Sequence, residues 1–267
     1  MTSVPIYGLP IEGYIHQYDF NWKKGTHQIA IELAMFREKI TKRIPSDIGG
    51  VDTFFHFKRI AKAFWPEKDN KAPANFIWHP WADRMIQAAC KHDYIAIAGS
   101  GGFGKSEAFA IWAIINYLAD PENTIVLATS TTIKASKQRI WGKIVKYWTV
   151  CEKLGLPGKL IDSLNTIRYI DKNGKATQGD LSGITLIPGE KKKEKDATGK
   201  MQGIHQKNVI FVADELSELS EAITEVAFYN LSKGCERFQF IGISNPASYV
   251  DAFGKFAKPK EGWETIS

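Results

Sequence analysis

The sequence predicts an α/β fold, a mainly parallel sheet flanked by helices, with an N-terminal helical appendage. Three observations carry that expectation. Short, continuously apolar runs alternate with longer stretches of helical period, as happens when strands are covered on both faces. One apolar run opens into a glycine-rich loop that leads straight into a helix. Another delivers two acidic residues at its C-terminal end, where α/β sheets place their ligand sites.

Taken in order, residues 1–25 mix proline, glycine and aromatics without a period and read as an extended arm. Over 26–43 the spacing of Ile29, Leu33, Phe36 and Ile40 is helical. A turn around Pro45, Gly49 and Gly50 follows, then a second helix over 53–64 that stops before Pro66. The polar stretch 66–73 carries Pro66 and Pro73 and reads as a linker. It divides an arm and helical appendage, 1–73, from the main unit, 74–267. Beyond it, strands are expected at 94–98, 124–129, 209–213 and 238–243, with weaker ones at 166–170 and 184–187. Helices are expected at 105–118, 133–150 and 218–231.

Composition narrows the field. With 267 residues, 44% hydrophobic and 24% charged, the chain can bury a self-sufficient core and is not of disordered composition. A net charge of +6 permits a polyanionic partner without requiring one. Cys90, Cys151 and Cys235 form neither a zinc knuckle nor a disulfide framework, so a reducing compartment is expected. The opening MTSVPIYGLP lacks the basic-then-apolar pattern of a secretion signal. The longest apolar run, 109–115, is far short of the roughly 20 residues that span a bilayer.

The run Gly99-Ser100-Gly101-Gly102-Phe103-Gly104-Lys105-Ser106 matches G-x-x-x-x-G-K-[ST], the Walker A motif or P-loop, in full. The chemistry explains the spelling. A strand must turn sharply into a helix while its backbone N–H groups converge on a phosphate, and glycines permit both. The helix adds its positive dipole end. Lys105 would reach the β and γ phosphates of a nucleotide, and Ser106 would sit on Mg2+. Asp214-Glu215, ending the apolar run 209–213, supplies the acids of a Walker B motif. Asp214 would hold Mg2+ through water, and Glu215 would act as general base on the attacking water. Taken alone, the pair could simply cap the next helix; beside an intact phosphate loop it reads as part of a nucleotide site. No N-K-x-D guanine signature follows, so ATP is the expected nucleotide. Ser244-Asn245-Pro246 ends the last strand, either as a γ-phosphate sensor or as an ordinary Asn-Pro turn.

Over roughly residues 78–267 these motifs resemble the large terminase subunits of tailed bacteriophages, which pump DNA into procapsids. Four features carry the resemblance: the phosphate loop, the run Thr198-Gly199-Lys200-Met201-Gln202-Gly203-Ile204-His205, Asp214-Glu215, and Ser244-Asn245-Pro246. The tail from Phe253 to Ser267 is similar as well. The resemblance implies a Mg2+-dependent ATPase core of the additional-strand, catalytic-glutamate class. It implies a homo-oligomeric ring acting on double-stranded DNA in the host cytoplasm, transiently at the procapsid portal, with portal protein and small terminase subunit as partners. It makes Ser244 and Asn245 the motif that couples hydrolysis to DNA movement. Large terminases normally continue into a nuclease domain; ending at Ser267, the sequence is expected to be the motor domain alone.

The sequence departs from the family in three places. The interior of the phosphate loop carries no arginine. After Pro80-Trp81 come Ala82 and Asp83 rather than an adenine-reading glutamine, so base recognition would rest on stacking near Trp81. The loop before the acidic strand carries no arginine to act as a trans-acting finger; Lys200, Arg139 and Arg168 are the candidates. Lys191, Lys192, Lys193 and Lys195, flanked by Gly189 and Gly199, would ride on a mobile loop and either touch DNA phosphates or remain solvated. Lys134, Lys137, Arg139, Lys143 and Lys146 form a second basic stripe, suited to a partner contact or to solvent. Trp141 and Trp148 are expected in the core. The alternative reading is a helicase-like or other nucleic-acid-remodelling ATPase on the same core.

Overall fold

The computed structural model describes residues 27–42, 51–68, 72–170, 182–189, 194–245 and 247–262. The arm, Lys191 to Lys193 and Pro246 lie outside the described residues. Two N-terminal helices, α1 (His27–Lys42) and α2 (Val51–Phe64), precede α3 (Pro80–Lys91). The main alternation follows as β1 (Tyr94–Ala98), α4 (Lys105–Ala119), β2 (Thr124–Ser130), α5 (Ile133–Gln138) and α6 (Ile140–Lys153). Next come β3 (Lys159–Ile161), β4 (Thr166–Arg168), β5 (Gly183–Pro188), α7 (Glu194–Gln202) and β6 (Asn208–Asp214). Last are α8 (Glu221–Val226), β7 (Arg237–Ser244) and α9 (Ala252–Ala257).

The strands form one seven-stranded sheet in the order β1-β7-β6-β2-β5-β4-β3. The run from β1 to β5 is parallel, and β4 and β3 extend it as an antiparallel edge. The expected fold class is therefore found. β7 stands between the glycine-loop strand β1 and the acidic strand β6, which is the additional strand of the expected class.

Helices cover both faces because β2, β6 and β7 are buried along their whole lengths. On one face α4 is buried from Ala108 through Ala119, enclosed by the sheet and by α1, α3 and α6. Trp112 of α4 stands edge-on to Phe36 of α1 and tilted against Phe57 of α2, at 5.9 and 5.1 Å between ring centres. The appendage helices thus share one core with the sheet. Arg37 ties α1 to Asp120 at the end of α4 at 3.1 Å, and Lys58 ties α2 to Asp83 of α3 at 2.8 Å. Some buried polar groups in this layer are partnered, while Tyr117 Oη, Trp141 Nε1 and Trp148 Nε1 have no hydrogen-bond partner among the described residues. Trp112 Nε1 donates to Gln239 Oε1 at 2.8 Å, and Gln239 Nε2 donates to the Ala89 and His92 carbonyls. Trp141 and Trp148 are core residues as expected.

The second face packs α7, α8 and α9 on Phe211 and Phe240, whose rings stack at 5.2 Å. Gly242 of β7 is required here: a Cβ would stand 2.6 Å from Leu216 and 3.1 Å from Phe256. Among the described residues, no helix is long and apolar enough to cross a membrane.

Three expectations need correction. The helix expected over 218–231 is α-helical only at Glu221–Val226 and continues with π-type winding over Ala227–Leu231. The helix expected over 133–150 is two helices, broken at Arg139. Lys195 rides on α7, not on a loop, because Ala197 and Met201, four residues apart, are both fully buried and anchor a helix.

Candidate nucleotide site

The site assembles at the C-terminal ends of three neighbouring strands, β1, β7 and β6. β1 runs out at Ala98 and the chain turns through Gly99–Gly104 before α4 begins at Lys105. Gly102 and Gly104 take φ values of +86° and +73°, which L side chains rarely adopt. The loop is fastened to β7 by the Gly99 amide, which donates to the Ser244 carbonyl at 3.2 Å. His79, the N-cap of α3, lies against Gly104, its Nε2 about 3.0 Å from where a Cβ would stand.

Lys105 folds over its own loop. Its Nζ donates to the Gly99 and Ser100 carbonyls at 2.5 and 2.7 Å, and stands 3.5 Å from Asn245 Oδ1. Partial burial lowers the Lys105 pKa, while the charges of Glu215 and Asp214 oppose the shift. Those two carboxylates therefore lie within the ammonium's field. Ser106 Oγ donates to Asp214 Oδ1 at 3.0 Å. Asp214 is 3% exposed, and burial pushes its carboxyl up from 3.8 to about 6 despite the Ser106 hydrogen bond.

Glu215 follows in the left-handed region, φ 57° and ψ 49°, unusual for a residue with a side chain. Its Oε1 lies 3.3 Å from Arg139 Nη1. A 3-10 turn, Leu216–Glu218, comes next, and Ser217 joins it to β7. Ser244 Oγ donates to Ser217 Oγ at 2.6 Å and accepts from the Ser217 amide at 3.2 Å. Beside the mouth, Trp81 is half-exposed, edge-on to Phe103 at 5.8 Å and under the Arg84 guanidinium at 5.2 Å.

The structure thus brings together Lys105, Ser106, Asp214, Glu215, Ser244, Asn245 and the loop 99–104, with Trp81 and Phe103 at the rim. Of the remaining candidates, Arg139 reaches the site through Glu215, and the others stand apart. Arg168 pairs with Gly183 at the start of β5, the opposite end of the sheet from the loop. Lys195 is exposed on α7. Lys200 belongs to the same helix, and its side chain is outside the described set. Of the second basic stripe, Lys143 and Lys146 pair with Glu107 at 3.8 and 2.9 Å, leaving Lys134 and Lys137 exposed. Sequence reasoning missed the approach of His79 to Gly104, the Ser217–Ser244 link and the Arg139–Glu215 pair. None has a spacing signature, since each joins separate elements.

A hydroxyl and a carboxylate form a hard-oxygen donor pair of the kind Mg2+ accepts while keeping waters and phosphate oxygens as its other ligands. Ser130 supports the fit. It ends β2 one step beyond the Thr129–Ala213 pairing, level with Asp214, and its buried hydroxyl has no partner among the described residues. Water around a metal would satisfy such a group. No set of three or more His, Cys, Asp or Glu side chains forms a metal cage among the described residues.

No protein-family model matches the sequence, and no curated protein is significantly similar to it. Among solved structures, the chain is similar to the large terminase of a thermophilic bacteriophage in complex with ADP. The identity is 20%, over 74% of this chain and 40% of that one, with a TM-score of 0.43. It is similar to the HK97 bacteriophage large terminase at 15% identity, over 73% and 39% of the two chains, with a TM-score of 0.46. The Thermus phage P74-26 large terminase ATPase domain is 20% identical over 63% and 67%, with a TM-score of 0.40. The chain spans well under half the length of the ADP-bound terminase and of the HK97 protein.

Proposed function

We propose that this chain is a Mg2+-dependent ATPase and the motor domain of a phage DNA-packaging terminase, coupling ATP hydrolysis to movement of double-stranded DNA into a procapsid. One observation carries the catalytic part: Ser106 bonds Asp214, with Lys105 and Glu215 alongside, at the common end of adjacent parallel strands. The packaging part is supported by the sequence resemblance in the four motifs.

The backbone amides of 99–104 would cradle the phosphates, aided by the N-terminus of α4. Lys105 would exchange its carbonyl partners for β- and γ-phosphate oxygens. Ser106 and Asp214 would hold Mg2+, which when bound offsets the charge on those oxygens. Glu215 would orient the attacking water and accept its proton. Trp81, already half-exposed, would offer its face to the base. Ser244 and Asn245 would report the state of the phosphates, because one contacts the segment after Glu215 and the other stands by Lys105. A ring of copies, portal protein, small terminase subunit and DNA complete the reading, with Lys191, Lys192, Lys193 and Lys195 as candidate DNA contacts.

Phosphate release from ATP tests the reading. Turnover is expected with Mg2+ and to vanish with a chelator. Lys105→Ala and Glu215→Ala are each expected to lower it at least about 100-fold, since charge stabilisation around the transferred group dominates such reactions. Near-normal turnover by Glu215→Ala would remove the role given to that residue. DNA strand separation by the chain would favour the helicase-like alternative.

A further inference from the structure

β2 lies between β6 and β5 and ends in two hydroxyl residues, Thr129 and Ser130. Both are fully buried, and neither hydroxyl has a hydrogen-bond partner among the described residues. Buried hydroxyls are costly in that state, so two in succession call for an account. The pleat sends them to opposite faces. Leu127 belongs to the core under α7, α8 and α9, and Thr129 projects to that side. Ala128 belongs to the core around α4, and Ser130 projects with it. Val212, opposite Ala128, faces α4 as well, so Asp214, level with Ser130 one step beyond the Thr129–Ala213 pairing, shares that face. The bond from Ser106 of α4 to Asp214 marks it as the phosphate side. Adjacent strands stand about 4.8 Å apart, which puts Ser130 and Asp214 within reach of one shared water. On its other flank Ser130 pairs with Pro188, which has no N–H to donate, and a Cβ on Gly189 would strike the Ser130 carbonyl.

We propose that Ser130 is a positioning residue for the metal ion of this site: its hydroxyl oxygen accepts a hydrogen bond from the metal-bound water that also donates to Asp214. The proposal rests on the ATPase reading above. Water on a divalent cation binds through its oxygen and has two hydrogens to place. Asp214 takes one and Ser130 the other, which gives the Ser130 hydroxyl the partner that no described residue supplies. Partners of this kind orient a metal's ligands and raise its affinity without touching the metal. Thr129, on the opposite face, has no such part.

Mn2+, whose paramagnetic signal separates free from bound ion, serves as the probe in the presence of ADP, with wild type, Ser130→Ala, Ser130→Cys and Thr129→Val. Ser130→Ala and Ser130→Cys are each expected to weaken Mn2+ binding about 10-fold, because both remove the oxygen acceptor while the cysteine keeps the volume. Thr129→Val removes an equally buried hydroxyl from the other face and is expected to leave Mn2+ binding unchanged. Urea unfolding without metal or nucleotide gives a second readout: Ser130→Ala is expected to be no less stable than wild type, since no described residue bonds that hydroxyl. Unchanged Mn2+ affinity in Ser130→Ala, with wild type binding both ADP and Mn2+, overturns the proposal alone. Equal weakening by Thr129→Val would report a general disturbance of the strand end and overturns it too. A loss of stability in Ser130→Ala would mean that the hydroxyl serves the fold, and counts against the proposal. If wild type binds neither ADP nor Mn2+, the ATPase reading itself fails, and the proposal with it.

Discussion

Asp214 is where burial and function oppose each other most directly. Buried among strands and titrating near 6, its carboxyl favours the proton in the folded chain more than in the unfolded one. That preference stabilises the fold fully below the ordinary value of 3.8 and is lost as pH rises through about 6. At pH 8, with neither nucleotide nor metal, the ionised group costs the fold up to about 3 kcal/mol. Asp214→Asn is therefore expected to be more stable than wild type at pH 8, with the difference shrinking towards pH 4. Urea unfolding at the two pH values measures it; a difference independent of pH would show that Asp214 is not destabilised by its charge. That Lys105, Ser106, Asp214 and Glu215 would meet at one end of the sheet was legible from residue type and spacing, because the proposed phosphate chemistry dictates both. The left-handed backbone of Glu215 was not, because it is fixed by the turn Leu216–Glu218 packing under β7 and not by a glycine at that position.

At the level of elements, β2, β6 and β7 were readable because fully buried strands are continuously apolar, and β1 was expected at the residues it occupies, whereas the short edge strand β3 was not expected. Helices were harder. α3 has a helix-start signal, Pro80 at the first position behind His79, but it follows a stretch that reads as linker. α7 was obscured by lysines and by Gly199, although Ala197 and Met201 give it an apolar side. The break at Arg139 has one sign in the sequence, Gly142. A Cβ there would lie 2.5 Å from the Lys137 carbonyl, so the break brings the end of α5 this close to the first turn of α6 only over a bare backbone. Gly142→Ala is expected to cost about 1–3 kcal/mol by forcing that carbonyl away, measured by chemical denaturation. A neutral effect would mean that the two helices meet with room to spare.

Across the whole molecule, the alternation of strands and helices announced a parallel sheet, but not its order. The insertion of β7 between β1 and β6 depends on pairing across long stretches of chain, which local pattern does not encode. Nor did the linker-like stretch 66–73 reveal how closely the first helices pack on the sheet layer. Phe36 is fully buried against Phe57 and Trp112, so Phe36→Ala is expected to cost about 3–5 kcal/mol. It should lower the midpoint of a single unfolding transition; a separate early transition would mean that the first helices melt on their own. The enclosure of α4 also carries a mechanical corollary. A rod wedged among aromatic rings on one side and a sheet on the other has nowhere to slide, so any stroke of a motor built on it must be delivered by the segments around its rim.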